Sequence, residues 1–253
     1  MVIGVIPARF GSSRLLGKPL ANIGGKPMLQ HTFESASKSK FLNKIIIAVD
    51  DERVGDVASK FCSNVVLTPK TIETGSDRIA YVVEKMPEVK IVVNIQGDEP
   101  FINGRMIDEA IEPLLFDKNI KVSTLAKRIV SVEELKSNSI PKLVFDYENF
   151  AMYFSRAPIP YVRGVKSNLD KLGTTDIYKH IGLYVFRRNT LLKFTKLNQT
   201  DLEKAEKLEQ LRMLENGIKI KIVVTEFDTL SVDTPEDLER ARRFYNKLLK
   251  TRK

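Results

Sequence analysis

The chain has 253 residues, of which 43% are hydrophobic and 29% are charged, which predicts one large folded domain at 1–253 with room for a smaller insert. The apolar runs are short and interrupted, so they predict no transmembrane helix, and the single cysteine, Cys62, cannot form an internal disulfide. The N-terminal residues show no signal-peptide pattern. Together these observations predict a cytoplasmic protein without a membrane partner.

The net charge is +9, from 41 Lys and Arg residues against 32 Asp and Glu residues. A positive field attracts small anionic substrates, and it is also typical of proteins that bind nucleic acids. The basic residues are scattered, apart from Arg240–Arg243 and the tail Asn246–Lys253. Charge alone therefore leaves both kinds of ligand open.

In the first half, short apolar runs that are typical of buried strands alternate with helical patterns. The predicted strands are Val2–Ile6, Lys44–Val49, Asn64–Leu67 and Ile91–Ile95, and the predicted helices are Pro27–Lys38, Glu52–Phe61 and Ser76–Met86. This order predicts an α/β fold in which a parallel sheet carries helices on both faces. Ligands of such sheets bind beyond the carboxyl ends of the strands, so functional residues are expected just after strands.

The second half has a different character. Lys142–Phe145 and Ala151–Ser155 predict a hairpin around Asp146–Asn149, and a loop is predicted from there to Asp176. The remaining predicted elements are strands at Ile181–Phe186 and Ile218–Val224 and helices at Leu202–Asn216 and Thr234–Leu249. We interpret the region 140–190 as an insert rather than an independent domain.

The segment Pro7–Lys18, PARFGSSRLLGK, follows the first predicted strand and holds three cations, Arg9, Arg14 and Lys18. Glycines in such a loop let the backbone approach a ligand closely, and hydroxyls and cations add donors for phosphate oxygens. The spacing differs from a P-loop, because five residues separate the two glycines and Pro19 follows the lysine. The segment predicts a nucleoside triphosphate site, with a solvated basic loop as the alternative.

Two aspartates in separate motifs are candidate metal ligands. Asp98 lies in Gln96–Pro100 directly after a predicted strand, and Asp233 precedes the last predicted helix, where Thr234 already serves as the N-cap. Magnesium in proteins takes one or two carboxylates together with phosphate oxygens and waters. With the cationic loop, the two aspartates predict a nucleotidyl-transfer site. The alternatives are a Gly-Asp turn and a helix start.

Further polar residues allow both functional and structural interpretations. Thr74–Arg78 opens a predicted helix, where the free amides and Arg78 could bind an anion or a base edge. The alternative is a capped helix with Arg78 in a surface ion pair. Arginines suit carboxylates, and a lone histidine is more often a structural hydrogen-bonding residue. The remaining candidates of this kind are Arg156, Arg163, His180, Glu209 and Gln210.

Taken in order, the motifs resemble those of the CMP-Kdo synthetase family, the 3-deoxy-manno-octulosonate cytidylyltransferases. The resemblance extends from Val5 to about Arg240 and rests on IPARFGSSRLLGKPL, VNIQGDEP, YFSRAPIPY, HIGLYVFR, LEQLR and VDTPEDLE. It implies a Rossmann-like nucleotidyltransferase fold with a mixed, mostly parallel sheet and a small inserted dimerisation subdomain. It also implies a homodimer, dependence on Mg²⁺, and transfer of CMP from CTP to Kdo, an eight-carbon keto-sugar acid, for lipopolysaccharide biosynthesis.

The resemblance also assigns roles to matching positions. It implies that Arg9, Lys18, Asp98 and Asp233 are catalytic, with the two aspartates as metal ligands. The implied nucleotide-binding residues are Ala8, Arg9, Ser12, Arg14, Lys18, Ser76, Arg78 and Gln96, and the implied sugar-binding residues are Gln96, Arg156, Arg163, His180, Tyr184, Glu209 and Gln210. The chain departs from the family pattern at Ser231, where glycine is usual.

Other functions remain open at this point. The acceptor sugar can also be 8-amino-3,8-dideoxy-manno-octulosonate or a sialic acid, although sialic-acid enzymes generally lack the LEQLR and VDTPEDLE motifs. A non-catalytic CTP-binding regulator is disfavoured by the two aspartates. A basic nucleic-acid-binding protein is the alternative from a different class, and it predicts a clustered basic face and salt-dependent binding.

Overall fold

The computed structural model describes residues 1–11 and 15–251, and the chain divides into two compact units. Met1–Asp108 and Thr229–Lys253 form the first unit, and Glu109–Asp228 forms the second. The insert predicted at 140–190 lies inside the second unit. Its role as a dimerisation subdomain of a single domain stays a prediction.

The first unit contains a parallel sheet in which the central strands are almost completely buried. Its strands are β1 (Val2–Ala8), β4 (Lys44–Val49), β5 (Val65–Leu67) and β6 (Ile91–Asn94), in the order β6-β1-β4-β5. Each neighbouring pair is parallel, with Val5 of β1 opposite Ile46 of β4 and Asn94 of β6. Continuous Val and Ile runs form these strands because both faces of the parallel sheet are covered.

Helices follow the strands of the first unit, as the alternating pattern predicts. The first-unit elements outside this sheet are a 3-10 turn (Lys18–Leu20), the short antiparallel pair β2 (Asn22–Ile23) and β3 (Lys26–Pro27), and the helices α1 (Met28–Ala36), α2 (Glu52–Ala58), α3 (Gly75–Glu84) and α10 (Pro235–Thr251). Helix α4 (Gly104–Phe116) leads from residues of the first unit into residues of the second. The side chain of Thr74 accepts a hydrogen bond from the Asp77 amide and caps α3.

The second unit is mainly antiparallel. Its strands are β7 (Val122–Arg128), β8 (Lys142–Phe145), β9 (Ala151–Ser155), β10 (Tyr178–Arg187) and β11 (Ile220–Val224). Strand β10 pairs with β7 and β8, β8 pairs with β9, and only the β7–β11 pair is parallel. Its helices are α5 (Val132–Lys136), α6 (Asn168–Thr174), α7 (Arg188–Phe194), α8 (Asp201–Glu206) and α9 (Gln210–Glu215). The α/β prediction of a mixed sheet with helices is confirmed.

Two sequence-based predictions in this unit are wrong. The single helix predicted at Leu202–Asn216 is broken between α8 and α9, because Lys207 adopts a left-handed conformation with φ of 54° and ends α8. The loop predicted up to Asp176 contains α6, which Ser167 caps by accepting a hydrogen bond from the Asp170 amide. The predicted β8–β9 hairpin is confirmed, and Asn149 in its turn has φ of 58°.

Across residues 1–11 and 15–251, no helix combines the length and the apolar character needed to cross a membrane.

Candidate active site

A pocket of about 340 Å³ opens in the first unit where β1 and β6 end. Its walls come from the residues at the end of β1, the 3-10 turn, the starts of α1 and α3, the segment after β6 and the segment before α10. The lining residues are Pro7, Ala8, Arg9, Gly11, Lys18, Pro19, Met28, Gly75, Gln96, Gly97, Asp98 and Asp233. The carboxyl ends of parallel strands therefore bring together four motifs that are far apart in sequence.

Lys18 forms the centre of the polar wall of this pocket. Its Nζ donates to Asp98 Oδ2 over 2.6 Å and to Asp233 Oδ1 over 2.8 Å. Burial lowers the pKa of Lys18, but the nearby charge of Asp98 and hydrogen bonds to both aspartates outweigh burial and raise it. Lys18 is therefore a cation, and both predicted metal ligands converge on it.

The local backbone explains why these three side chains meet. Gly17 adopts a left-handed conformation with φ of 66°, and the 3-10 turn that carries Lys18 begins directly after it. On the other side, the amide of Val232 donates to the carbonyl of Asp98 over 3.0 Å. This bond holds the segment before α10 against the segment after β6. Half-buried Ser231, at the position where the sequence departs from the family pattern, precedes this contact.

A residue larger than glycine at position 97, directly before Asp98, would collide with the backbone at the end of β1. A Cβ at Gly97 would lie 2.7 Å from the carbonyl oxygen of Pro7, closer than real Cβ atoms come to backbone oxygens. The Gly97 carbonyl also accepts a hydrogen bond from Thr32 Oγ1 over 3.2 Å. The glycine therefore allows the segment after β6 to approach the end of β1.

Glu99 is a buried acid that the sequence analysis missed. Burial and then the charge of Asp98 raise the pKa of Glu99 to about 8, so its carboxyl is protonated at neutral pH. Its only sequence signal is its place directly after Asp98. Within the described residues, no group of three or more His, Cys, Asp or Glu side chains lies close enough to hold a metal ion. A magnesium ion at this pocket would take one or two carboxylates and complete its shell with phosphate oxygens and waters.

The other predicted nucleotide-binding residues fall at different depths. Ala8, Arg9 and Gln96 line the pocket, whereas Ser76 and Arg78 are buried in the first turns of α3 and are not among its lining residues. Ser12 and Arg14 lie outside the described residues.

Two of the predicted sugar-binding residues lie side by side in the second unit, where Tyr184 is buried and His180 is half-buried. His180 and Tyr184 lie on β10 with their ring centroids 5.2 Å apart, and His180 Nε2 is 3.0 Å from Thr124 Oγ1. Burial lowers the pKa of His180 to about 3, so its imidazole is neutral at physiological pH. Burial and then the charge of Glu209 raise the pKa of Tyr184. Glu209 is therefore near this pair, although it is far from it in sequence.

The other predicted sugar-binding residues of this unit differ in their exposure and in their contacts. Gln210 is buried at the start of α9, and Arg163 is exposed on a turn. The guanidinium of Arg156 is engaged by backbone carbonyls: its Nε donates to Glu206 over 2.6 Å and its Nη2 to Lys207 over 3.2 Å. Arg156 therefore holds the end of α8.

Comparison with known proteins places the chain among cytidylyltransferases. A sequence model of the family described as Cytidylyltransferase matches residues 3–220. The 3-deoxy-manno-octulosonate cytidylyltransferase of Geobacter metallireducens is 46% identical over 243 residues, which are 94% of this chain and 95% of that protein. The enzyme with the same name from Solibacter usitatus is also 46% identical, over 96% of this chain and 94% of its own.

Solved structures agree with this result. A CMP:2-keto-3-deoxy-manno-octonic acid synthetase in complex with CTP matches with a TM-score of 0.90 and 38% identity, covering 97% of this chain and 98% of its own. The 4-diphosphocytidyl-2C-methyl-D-erythritol synthase of Anaerococcus prevotii matches with a TM-score of 0.62 at 15% identity, covering 97% of this chain and 96% of its own. At that identity the second match shows the fold alone.

Proposed function

This chain belongs to the cytidylyltransferase family, and from that premise we propose that it transfers CMP from CTP to 3-deoxy-manno-octulosonate and releases pyrophosphate. The product is an activated form of the eight-carbon sugar acid. The observation that carries the proposal is the contact of Lys18 with Asp98 and Asp233 in the pocket. One cation and two carboxylates in the same pocket are the groups that phosphoryl-transfer chemistry needs.

The chain's own residues supply positioning and charge rather than a covalent intermediate. A hydroxyl oxygen of the sugar attacks the α-phosphorus, the bond from phosphorus to the bridging oxygen of pyrophosphate breaks, and the hydroxyl proton leaves to solvent. Negative charge then builds up on the departing pyrophosphate. Lys18 and Arg9 line the pocket as cations and would hold the phosphate oxygens and stabilise that charge.

Magnesium is part of the proposal because the donor set of the pocket fits it. Asp98 and Asp233 place carboxylate oxygens within 2.8 Å of the same lysine nitrogen, so both reach one point in space. Magnesium takes one or two carboxylates and completes its shell with phosphate oxygens and waters. Bound there, it would neutralise phosphate charge and lower the pKa of the attacking hydroxyl. Lys18 would then contact the triphosphate.

The acceptor side of the proposal rests on the second unit. The resemblance implies that Arg156, Arg163, His180, Tyr184, Glu209 and Gln210 bind the sugar together with Gln96, and these assignments stay predictions. The neutral imidazole of His180 would serve as a hydrogen-bonding group rather than as a counter-ion for the sugar carboxylate.

A homodimer in the cytoplasm is also part of the proposal. Large side chains that are exposed in the 140–190 region support it, because a partner subunit would cover them. These residues are Tyr147, Met152, Tyr161 and Leu169. No nucleic acid is needed as a partner, since the positive charge serves an anionic nucleotide equally well.

The test is product formation from defined substrates. Purified protein is incubated with Mg²⁺, one of CTP, UTP, ATP or GTP, and one of Kdo, its 8-amino analogue or a sialic acid, and pyrophosphate release and the nucleotide sugar are measured. We expect CTP with Kdo to give the fastest turnover. Equal rates with all four triphosphates would refute the cytidylyl assignment, and faster turnover with the amino sugar would change the acceptor.

A pair of lysine variants tests the pocket itself. Lys18→Met removes the central cation and is expected to cost roughly 2–4 kcal/mol of transition-state stabilisation, because a charge-assisted contact to phosphate is lost. Lys26→Met is the matched control, because the Nζ of Lys26 pairs with half-exposed Glu34 over 2.7 Å and Lys26 does not line the pocket. The proposal predicts a large loss of kcat/KM for CTP in the first variant and little change in the second.

A further inference from the structure

Asp50 lies between Arg9, in the segment that leaves β1, and the buried Arg78. It follows β4, and its Oδ1 accepts a hydrogen bond from the amide of Phe10 over 2.9 Å. Its Oδ2 lies 3.7 Å from Nε of Arg9 and 3.6 Å from Nη2 of Arg78. One carboxylate therefore contacts both the backbone and the side chain of the segment that leaves β1.

Arg78 is completely buried beneath this carboxylate. Its Nη1 donates to Thr68 Oγ1 and its Nη2 donates to the carbonyl of Ile72 over 2.9 Å. In the described part of the chain, its Nε has no hydrogen-bond partner. A buried cation is costly without a counter-ion, and Asp50 is the carboxylate beside it. Since its side chain has 0% exposure and does not line the pocket, Arg78 is not placed to contact a nucleotide directly.

Arg9 is the residue through which this buried pair reaches the pocket. Its Nη1 donates to the carbonyl of Glu73 and its Nε faces Asp50, while 45% of its side chain stays exposed. These two contacts fix the plane of the guanidinium where it lines the pocket. An arginine held in this way loses less conformational freedom when it binds an anion.

We infer that Asp50 and Arg78 are positioning residues that hold Arg9 for the triphosphate. The inference rests on the proposed function because it takes the bound anion to be the triphosphate of CTP. It gives Arg78 a different role from direct nucleotide binding. Arg78 holds Asp50, and Asp50 holds the Arg9–Phe10 segment.

A double-mutant cycle separates positioning through Arg9 from direct contact. Binding of CTP with Mg²⁺, without acceptor sugar, is measured by calorimetry for Arg78→Lys, Arg9→Met and the double variant. Loss of the guanidinium fork in Arg78→Lys is expected to weaken binding about tenfold in the wild-type background but less than about threefold once Arg9 is absent. An equal loss in both backgrounds would overturn the inference.

The same variants are checked by a measurement that needs no nucleotide. Asp50 accepts a hydrogen bond from the Phe10 amide. Asp50→Asn removes the charge of this acceptor, and Arg78→Lys loosens its position. We therefore expect each variant to speed hydrogen exchange at the Phe10 amide by about tenfold or more. Arg240→Lys, at an exposed ion pair with Asp237 on α10, makes the same chemical change as a control and should not alter exchange.

The two measurements keep the inference and the proposed function distinguishable. A wild-type protein that binds no CTP would overturn the proposed function, and amide exchange would then still decide the positioning role. Unchanged exchange at Phe10 in folded Asp50→Asn and Arg78→Lys would overturn the positioning role even if CTP binds.

Discussion

Replacing His180 by glutamine is expected to make the folded protein less sensitive to acid. In the folded protein burial lowers the pKa of His180 to about 3, whereas the unfolded chain has a histidine pKa of about 6.5. Between these values the unfolded state binds one more proton than the folded state. The free energy of unfolding therefore falls as the pH falls from about 6.5 towards 3, and it is unaffected by this group above 6.5.

The size of the effect follows from the difference between the two pKa values. A gap of about 3.5 units corresponds to about 5 kcal/mol when the whole interval is crossed, at about 1.4 kcal/mol per pH unit. Between pH 6.5 and pH 5 the wild type should therefore lose about 2 kcal/mol that His180→Gln does not lose. The glutamine also removes the ring contacts with Phe154 and Tyr184, but that cost is independent of pH.

Urea unfolding at pH 5.0 to 7.5 measures this difference. Carboxylates titrate in the wild type and in His180→Gln alike, so their contributions to the free energy of unfolding cancel when the two pH profiles are subtracted. Tyr184→Phe is the control, because it changes the neighbouring ring and leaves the imidazole of His180 in place, so it should keep the wild-type slope. The chain has two histidines, so ring ¹⁵N spectra give a direct assignment by comparison with the variant. A His180 signal that titrates near pH 6.5, or parallel unfolding profiles, would refute the reasoning.

Three further predictions concern the pocket and the assembly. Asp98→Asn and Asp233→Asn should each lower turnover about a hundredfold, which corresponds to about 3 kcal/mol. The double variant should lose far less than the product of the two single effects, because both aspartates act on one site. Steady-state kinetics measure this, and normal turnover in both folded single variants would contradict it. Gly97→Ala should lower both the stability and the CTP affinity, since the Cβ of the alanine would lie 2.7 Å from the carbonyl oxygen of Pro7. Thermal melts measure the stability and calorimetry measures the affinity, and wild-type values in both would refute this prediction. Light scattering at micromolar concentration should give twice the monomer mass, and a monomer would remove the dimer proposal.

The sequence predicted well those elements that have a simple hydrophobic pattern. The Val- and Ile-rich runs of β1, β4 and β6 and the capped start of α10 have patterns that favour one structure. Strand β7 was missed because Ser123 and Thr124 interrupt its apolar run. Both side chains are nevertheless fully buried, with their hydroxyls donating to the carbonyls of Ala110 and Leu183. Whether a buried hydroxyl finds a hydrogen-bond partner depends on the tertiary structure, so it leaves no periodic pattern in the sequence.

The candidate site was predictable to a similar extent. Lys18, Asp98 and Asp233 were recognised from separate motifs, and the structure brings all three into contact. The burial of Arg78 and the part played by Asp50 were not predictable. An arginine at the start of a helix has the same sequence pattern whether it faces solvent or lies beneath a carboxylate, and only the packing of β4 and β5 against α3 decides between them.

The contact between Lys18 and Asp233 also determines when the pocket can exist during synthesis. These residues lie 215 positions apart, and the C-terminal part of the first unit is translated after the whole second unit. At about 5–20 residues per second, the ribosome completes Asp233 roughly 10 to 40 s after Lys18. Throughout that interval a nascent chain carries the lysine without its second carboxylate. A messenger truncated anywhere before codon 233 therefore yields a protein that cannot assemble this pocket.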